Sequence, residues 1–216
     1  MGGAGEPRDG AGPAPVAGPR QAAQRGAHAA GPHLTAPSAA LRESFLAALA
    51  EYHAEGRHSE LDLAVLSEPG EFAKYVRALR DDVAHPGAPD RYVWRAFGVR
   101  IEAPYDGYVP QTALWWALGD EYLGRVNIRH RLNRDLLRGG GNIGYEIRPS
   151  ARRRGHATAM LAAALPVAAA LGIREARIDC AVDNVASRRV IEHNGGVFER
   201  EEDGSYFFLV PTSPRP

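Results

Sequence analysis

Cysteine is almost absent from this chain: Cys180 is the single one in 216 residues. One thiol makes no internal disulfide and no cysteine zinc site. It stands in an apolar stretch, whereas a reactive thiolate needs an electropositive, partly exposed setting. Cys180 therefore reads as a buried structural thiol. Lysine is as scarce, with Lys74 alone, so basic charge is almost all arginine. The chain is also rich in Ala, Gly and Pro, a pattern that coding bias produces, so each arginine is not read as an anion site. Net charge is zero, with 26 basic and 26 acidic residues. That excludes a general attraction to nucleic acid. No run approaches the roughly 20 apolar residues that span a bilayer, so no membrane partner is expected. No internal repeat is visible.

The first forty residues lack what a core needs. Beyond Met1 their large apolar side chains are Val16 and Leu34. Such a segment buries too little surface to offset its ordering entropy. The expectation is a disordered Gly/Ala/Pro-rich tail over 1–40 and one domain over 41–216. The tail has no apolar stretch of a secretory signal, and Ser38 is its single serine, unlike a transit peptide. The cytoplasm is the default location.

Periodicity supplies the elements. Leu41, Phe45, Leu46 and Leu49 share one face of a helix over 41–55, with Ser38 as a possible cap. Leu61 to Leu66 reads as a loop or short strand. Phe72, Tyr75, Val76 and Leu79 place a second helix over 71–82, broken after Ala84. Residues 91–108 read as irregular and aromatic. Strands are expected over 112–118 and 121–129, joined at Gly119-Asp120, then a short helix or loop over 132–138. The stretch 142–148 reads as a strand that Pro149 stops. A helix follows over 157–171, with a kink expected at Pro166, which lacks a donor and crowds the carbonyl of Ala162. A strand over 176–182, a short helix from Asp183 or Asn184 to Gly195, and a hairpin over 196–210 turning at Asp203-Gly204 complete the chain.

Two segments carry chemistry. The first is Arg152-Arg153-Arg154-Gly155-His156-Ala157-Thr158, between a strand and a helix. Gly155 lets backbone approach a ligand closely. The first helical turn leaves N–H groups without partners and carries partial positive charge. With arginines alongside, that is a pyrophosphate cradle. The second is Asp183-Asn184-Val185-Ala186-Ser187-Arg188-Arg189-Val190-Ile191, after an apolar strand. The run Gly139-Gly140-Gly141-Asn142-Ile143-Gly144 imitates a dinucleotide fingerprint. A strand follows it where a helix is required, so that reading is rejected. The glycines read instead as a flexible loop at a substrate mouth.

Arg-x-x-Gly-x-Ala at a strand-to-helix junction, followed about 30 residues later by Asn-x-x-Ser-x-x-Val, resembles the Gcn5-related N-acetyltransferases, the GNAT superfamily. The resemblance covers roughly 41–211. Gly144-Tyr145 and the second motif are most similar to the ribosomal-protein-acetylating branch and to an uncharacterised set of bacterial acetyltransferases. It implies a mixed α+β fold: a mostly antiparallel sheet, splayed between its fourth and fifth strands and flanked by helices. It also implies acetyl-CoA as co-substrate, no metal, an amine on a small molecule or a protein as acceptor, and a monomer or homodimer. By the resemblance, residues 152–158 hold the pyrophosphate. Backbone groups around Tyr145 to Ile147 bond pantetheine, and an N–H there faces the developing oxyanion. Asn184 lies beside the CoA arm. Many members place a tyrosine seven residues after that Asn to serve the departing thiolate. Here the position is Ile191, and Ser187 is the named substitute.

Glu146, mid-strand beside the cradle, has two readings: a general base with its pKa raised by burial, or an ion-pair partner of Arg148 or another arginine. His130 reads as a holder of a substrate carboxylate, a base, or a solvated loop residue. Trp115, Trp116, Arg129, His130, Asn133 and Asn142 are the candidate acceptor wall. The competing function is a catalytically silent acyl-CoA-binding domain. A nucleic-acid binder using 152–154 and 125–138 is disfavoured by zero net charge and few interleaved aromatics.

Overall fold

The structure, a computed structural model, describes residues 1–2, 31–84 and 109–213. The expected irregular stretch 91–108 and most of the expected tail lie outside these residues.

The domain begins before residue 40. Strand β1, His33–Thr35, pairs antiparallel with β2, Gln111–Leu118, setting Leu34 opposite Trp116. A boundary at residue 40 is therefore misplaced. The tail's poor composition hides a three-residue strand that uses backbone bonds and one apolar side chain, Leu34, packed on the core. Ser38 then accepts from Ala40 N and caps a turn of 3-10 helix that leads into α1, Arg42–Ala54. Phe45, Ala48, Leu49 and Tyr52 form its buried face.

Residues expected as a loop or strand near 61–66 are helical instead: α2 spans Leu63–Ser67. Asp62 decides this, because its side chain accepts from Ala64 N and Val65 N and satisfies two orphan donors of the first turn. Helix α3, Pro69–Ala84, opens on a proline, whose missing N–H costs nothing there.

Strand β3, Glu121–Arg129, and β4, Ile143–Ile147, complete an antiparallel sheet of order β1-β2-β3-β4. A second sheet, of order β5-β7-β6, holds β5 Glu175–Ala181, β6 Val197–Glu202 and β7 Ser205–Pro211. Helices α4, Arg134–Arg138, α5, His156–Ala170, and α6, Val185–His193, fill the connections. α5 runs unbroken through Pro166. Pro166 and Ala162 are both exposed, so the carbonyl that loses its partner faces water.

Two cores sit on the two faces of the first sheet. Adjacent strand residues point opposite ways, and Trp115 and Trp116 are divided accordingly. Trp116 joins Val126, Ile128, Met160 and Leu161 under α5. Trp115 joins Phe45, Phe72, Tyr75 and Tyr122 under α1 and α3. There it stacks on Phe45, with ring centroids 5.1 Å apart and planes 17° from parallel.

The sheets meet at one joint. Asn142 N donates to Arg177 O at 2.7 Å, and Arg177 N donates to Asn142 Oδ1 at 2.9 Å. Gly140 N donates to Asp179 Oδ1 at 2.7 Å, and Arg129 Nη1 donates to Gly140 O at 2.6 Å. Gly141 has φ 49, and a Cβ there would lie 2.3 Å from Arg177 O. The glycine run is thus not a flexible mouth. It lets two backbones approach closely, and each is bonded in place. Beyond the joint β4 and β5 belong to separate sheets.

Candidate functional site

The loop after β4 is held from the side of α1. Glu51 pairs with Arg148, which is buried, and accepts from Ser150 N and Ser150 Oγ, both at 2.9 Å. Burial pushes the Glu51 carboxyl up, and these donors more than offset it, leaving it below its usual range. Arg152 makes two bonds to Glu55, at 2.7 and 2.8 Å, and its Nε donates to Ile147 O at 3.1 Å. Arg152 is therefore a strut of the loop, not a free cation at its mouth. Arg153 and Arg154 are exposed and make no ion pair with any described residue. Arg153 and Gly155 both take left-handed conformations, with φ 65 and 80. Alternation of this kind turns backbone N–H groups toward a common point and favours an anion there.

Gly155 is the N-cap of α5, with no side-chain cap, and a Cβ added to it would meet nothing within 4 Å. The first turn is thus open to a ligand. A cleft of about 760 Å³ starts there and runs between α5 and α6, lined by Gly155, Thr158, Ala162, Arg189, His193 and Asn194 among others. Ala157 belongs to the same first turn. The His156 ring turns inward, where its Nδ1 accepts from Trp116 Nε1 at 3.4 Å. These residues fit a pyrophosphate-bearing arm: a helix start without a capping side chain, two arginines with no ion pair among the described residues, and a groove leading from it.

Ser187 and Tyr145 come together across the gap between the sheets. Asn184 caps α6, its Oδ1 accepting from Ser187 N at 3.0 Å. The Tyr145 hydroxyl stands 2.9 Å from Ser187 Oγ. Ile191 is fully buried in the core, so its position offers no donor.

Glu146 points to the other face. Its Oε2 accepts from Arg57 Nη2 and contacts His58 Nε2, both at 2.8 Å. Arg125 Nε stands 2.5 Å from Oε1, in charge contact without an N–H aimed at that oxygen. Burial raises the Glu146 pKa, and the His58 bond with the Arg125, His58 and Arg57 charges overcomes this, holding it at about 2. This geometry is the ion-pair alternative, with Arg57, His58 and Arg125 in place of Arg148. Sequence reading missed these partners. They are 89, 88 and 21 positions from Glu146, and the one local signal was the charged run after Gly56. His58, at φ 57, holds a left-handed conformation uncommon for its type.

The candidate acceptor wall does not assemble. Trp115 is 1% exposed and belongs to the aromatic core, and Trp116 is buried beneath α5. Asn142 is consumed by the joint, with Nδ2 donating to Arg129 O at 3.2 Å. Arg129 serves the same joint. Asn133 caps α4, accepting from Leu136 N at 2.8 Å. His130 Nε2 lies 2.8 Å from Thr112 Oγ1, and burial pushes its pKa down. Each polar group proves to have a local structural partner, which single-residue reading does not reveal.

The family model for the acetyltransferase (GNAT) domain matches residues 49–197. The chain belongs to the GNAT acetyltransferases. This GNAT protein is an acetyl-CoA-dependent N-acetyltransferase, and its antiparallel sheets, parted between β4 and β5, have the expected mixed α+β architecture. The microcin C7 self-immunity acetyltransferase MccE, in complex with acetyl-CoA and AMP, has a similar structure at 13% identity and TM-score 0.52, over 82% of this chain and 91% of that one. The ribosomal L7/L12 α-N-protein acetyltransferase RimL, in complex with coenzyme A, is similar at 18% identity and TM-score 0.51, over 82% and 92%. No curated protein sequence matches the chain. No helix among the described residues is long and apolar enough to cross a membrane.

Proposed function

We propose that this acetyltransferase seats the CoA pyrophosphate on the first turn of α5, between Gly155 and Thr158 and beside Arg153 and Arg154, and delivers the acetyl group to a free amine at the gap between β4 and β5. The observation that carries this is the uncapped helix start opening into the α5–α6 cleft. The amine's lone pair attacks the thioester carbonyl, the C–S bond breaks, and Ser187 Oγ–H supports the charge left on sulfur. Glu146, kept ionised by the His58 bond and the Arg125 and Arg57 guanidinium groups, anchors the Arg57–His58 loop and neutralises half-buried Arg125. The amine's proton passes to water. A protein amine and a small-molecule amine both suit a site whose side chains, among the described residues, form no closed acceptor wall. Relatives in fold include RimL, a ribosomal L7/L12 α-N-protein acetyltransferase, and MccE, a microcin C7 self-immunity acetyltransferase.

Calorimetry with CoA tests the donor site. Gly155→Val places a branched side chain where backbone must meet phosphate, at a φ that suits glycine. At least a tenfold loss of affinity, roughly 1.4 kcal/mol, is expected in a variant whose circular dichroism matches the parent. Unchanged affinity refutes the cradle. Thiol release from acetyl-CoA across a panel of peptide and small amines identifies the acceptor. Binding of CoA with no release above the water background would favour the silent acyl-CoA-binding reading.

A further inference from the structure

We propose that Tyr145 is a positioning residue for the thiolate side of the reaction: its phenol donates to Ser187 Oγ and thereby aims the Ser187 hydrogen at the leaving sulfur. The inference rests on the reading of Ser187 above and deepens it. Tyr145 comes from the middle of β4 and Ser187 from the first turn of α6, 42 positions later, so their 2.9 Å contact bridges the gap where the sheets have parted. Both residues are half-buried. The backbone that carries Ser187 is fixed at the start of α6, because its N–H is tied to Asn184 Oδ1.

Hydrogen arithmetic decides what the contact can do. A serine hydroxyl has one hydrogen and two lone pairs. If Ser187 donates to Tyr145, nothing remains for sulfur. The phenol has two acceptors in reach, Ser187 O at 3.3 Å and Ser187 Oγ at 2.9 Å; when its one hydrogen goes to the nearer Oγ, the serine hydrogen is free and more acidic, because chained hydrogen bonds polarise one another. The phenol is suited to donate. Burial pushes its pKa up to about 12, with the Ser187 bond pulling weakly the other way, so it keeps its hydrogen at neutral pH. The neighbouring Cys180 thiol also reaches Ser187. Burial pushes its pKa up as well, so no standing thiolate competes for the serine hydrogen. Neither hydroxyl is consumed in turnover. The thioester C–S bond breaks, its electron pair rests on sulfur under the Ser187 hydrogen bond, and the proton lost by the amine returns to sulfur through water.

The test needs no acceptor. CoA is bound to the full chain and its thiol is titrated by thiolate absorbance, with the desulfo-CoA complex as blank for Cys180. Ser187→Ala should lower the acid dissociation constant of the bound thiol by about tenfold, and Tyr145→Phe by about threefold. Desulfo-CoA affinity should stay unchanged in both. Ser187→Thr, which keeps the hydroxyl, should hold the parent value. In the Ser187→Ala background, Tyr145→Phe should do nothing further, since Tyr145 acts through Ser187. A residue that merely supports β4 would give the same decrement in both backgrounds, and that result overturns the proposal. So does a parent-like thiol in Tyr145→Phe while Ser187→Ala is shifted. If Ser187→Ala itself leaves the bound thiol unchanged, the reading of Ser187 fails and this inference fails with it. If the parent binds no CoA, the donor site itself is wrong.

Discussion

Removing the Glu146 charge should destabilise the fold more than it changes the chemistry. Glu146→Gln keeps the shape but leaves half-buried Arg125 beside a neutral amide, with Arg57 and His58 losing their anchor. The size follows from the proton. A carboxyl moved from 4.5 to about 2 in the folded state is worth roughly 3 kcal/mol, at about 1.4 kcal/mol per pH unit. The sign follows too. The folded pKa is depressed, so this stability is fully present above pH 4.5 and fades as the pH falls toward 2. A midpoint shift of about 2–4 °C per kcal/mol suits a domain of this size, so the variant should melt roughly 6–12 °C lower at pH 7. Scanning calorimetry at pH 7, 5, 4 and 3 should show the two proteins converging below pH 4.5. With an acceptor in hand, the folded variant should keep its pH–rate profile, because the proposed route passes the amine's proton to water and not to this carboxylate. Equal melting at pH 7 would refute the buried cluster. A rate loss of 100-fold or more in a folded variant, typical of a removed acid–base group, would restore Glu146 as the base.

Three other outcomes follow from the same geometry. A protein starting at Gly31 should melt with the full chain, whereas one starting at Ala39 should melt several degrees lower, because it loses β1 and its Leu34–Trp116 pairing; equal melting of the two would mean β1 contributes nothing. Trp115→Ala should cost about 3–5 kcal/mol in urea unfolding through the cavity left beside Phe45 and Tyr122, and a mild stability loss with a weakened acceptor KM would return Trp115 to the substrate wall. Asn142→Ala should cost about 1–3 kcal/mol by leaving Arg177 N without its acceptor, measured by the same unfolding curves, and an unchanged midpoint would show that the joint does not depend on this side chain.

The helices and long strands were legible because apolar spacing and turn residues agree on them; β3, for instance, spans the 121–129 read from alternation. The junction from β4 into α5 was legible because a proline, a glycine and an apolar run stand next to one another in the chain. What escaped depends on distance. β1 is three residues long and owes its existence to a partner more than eighty positions away. α2 turned on one aspartate, whose capping bonds outweighed an ambiguous apolar pattern. Among the acceptor-wall candidates, reading each polar residue alone assigned it outward, because its inward partner, such as Arg177 for Asn142, lies in another element. The Glu146 cluster failed in the same way, drawing on the loop after α1, on β3 and on β4.

The bonds from Glu51 and Glu55 to Ser150 and Arg152 span 97 to 99 positions. Closing loops of that length costs entropy before any contact repays it, which places such contacts late on a folding route. The cradle's local ingredients lie within a dozen residues, yet its shape depends on α1 having already docked. Affinity for CoA is in that sense a property of the finished molecule. A nascent or partly unfolded chain would carry the whole motif in sequence and still lack the means to retain the nucleotide.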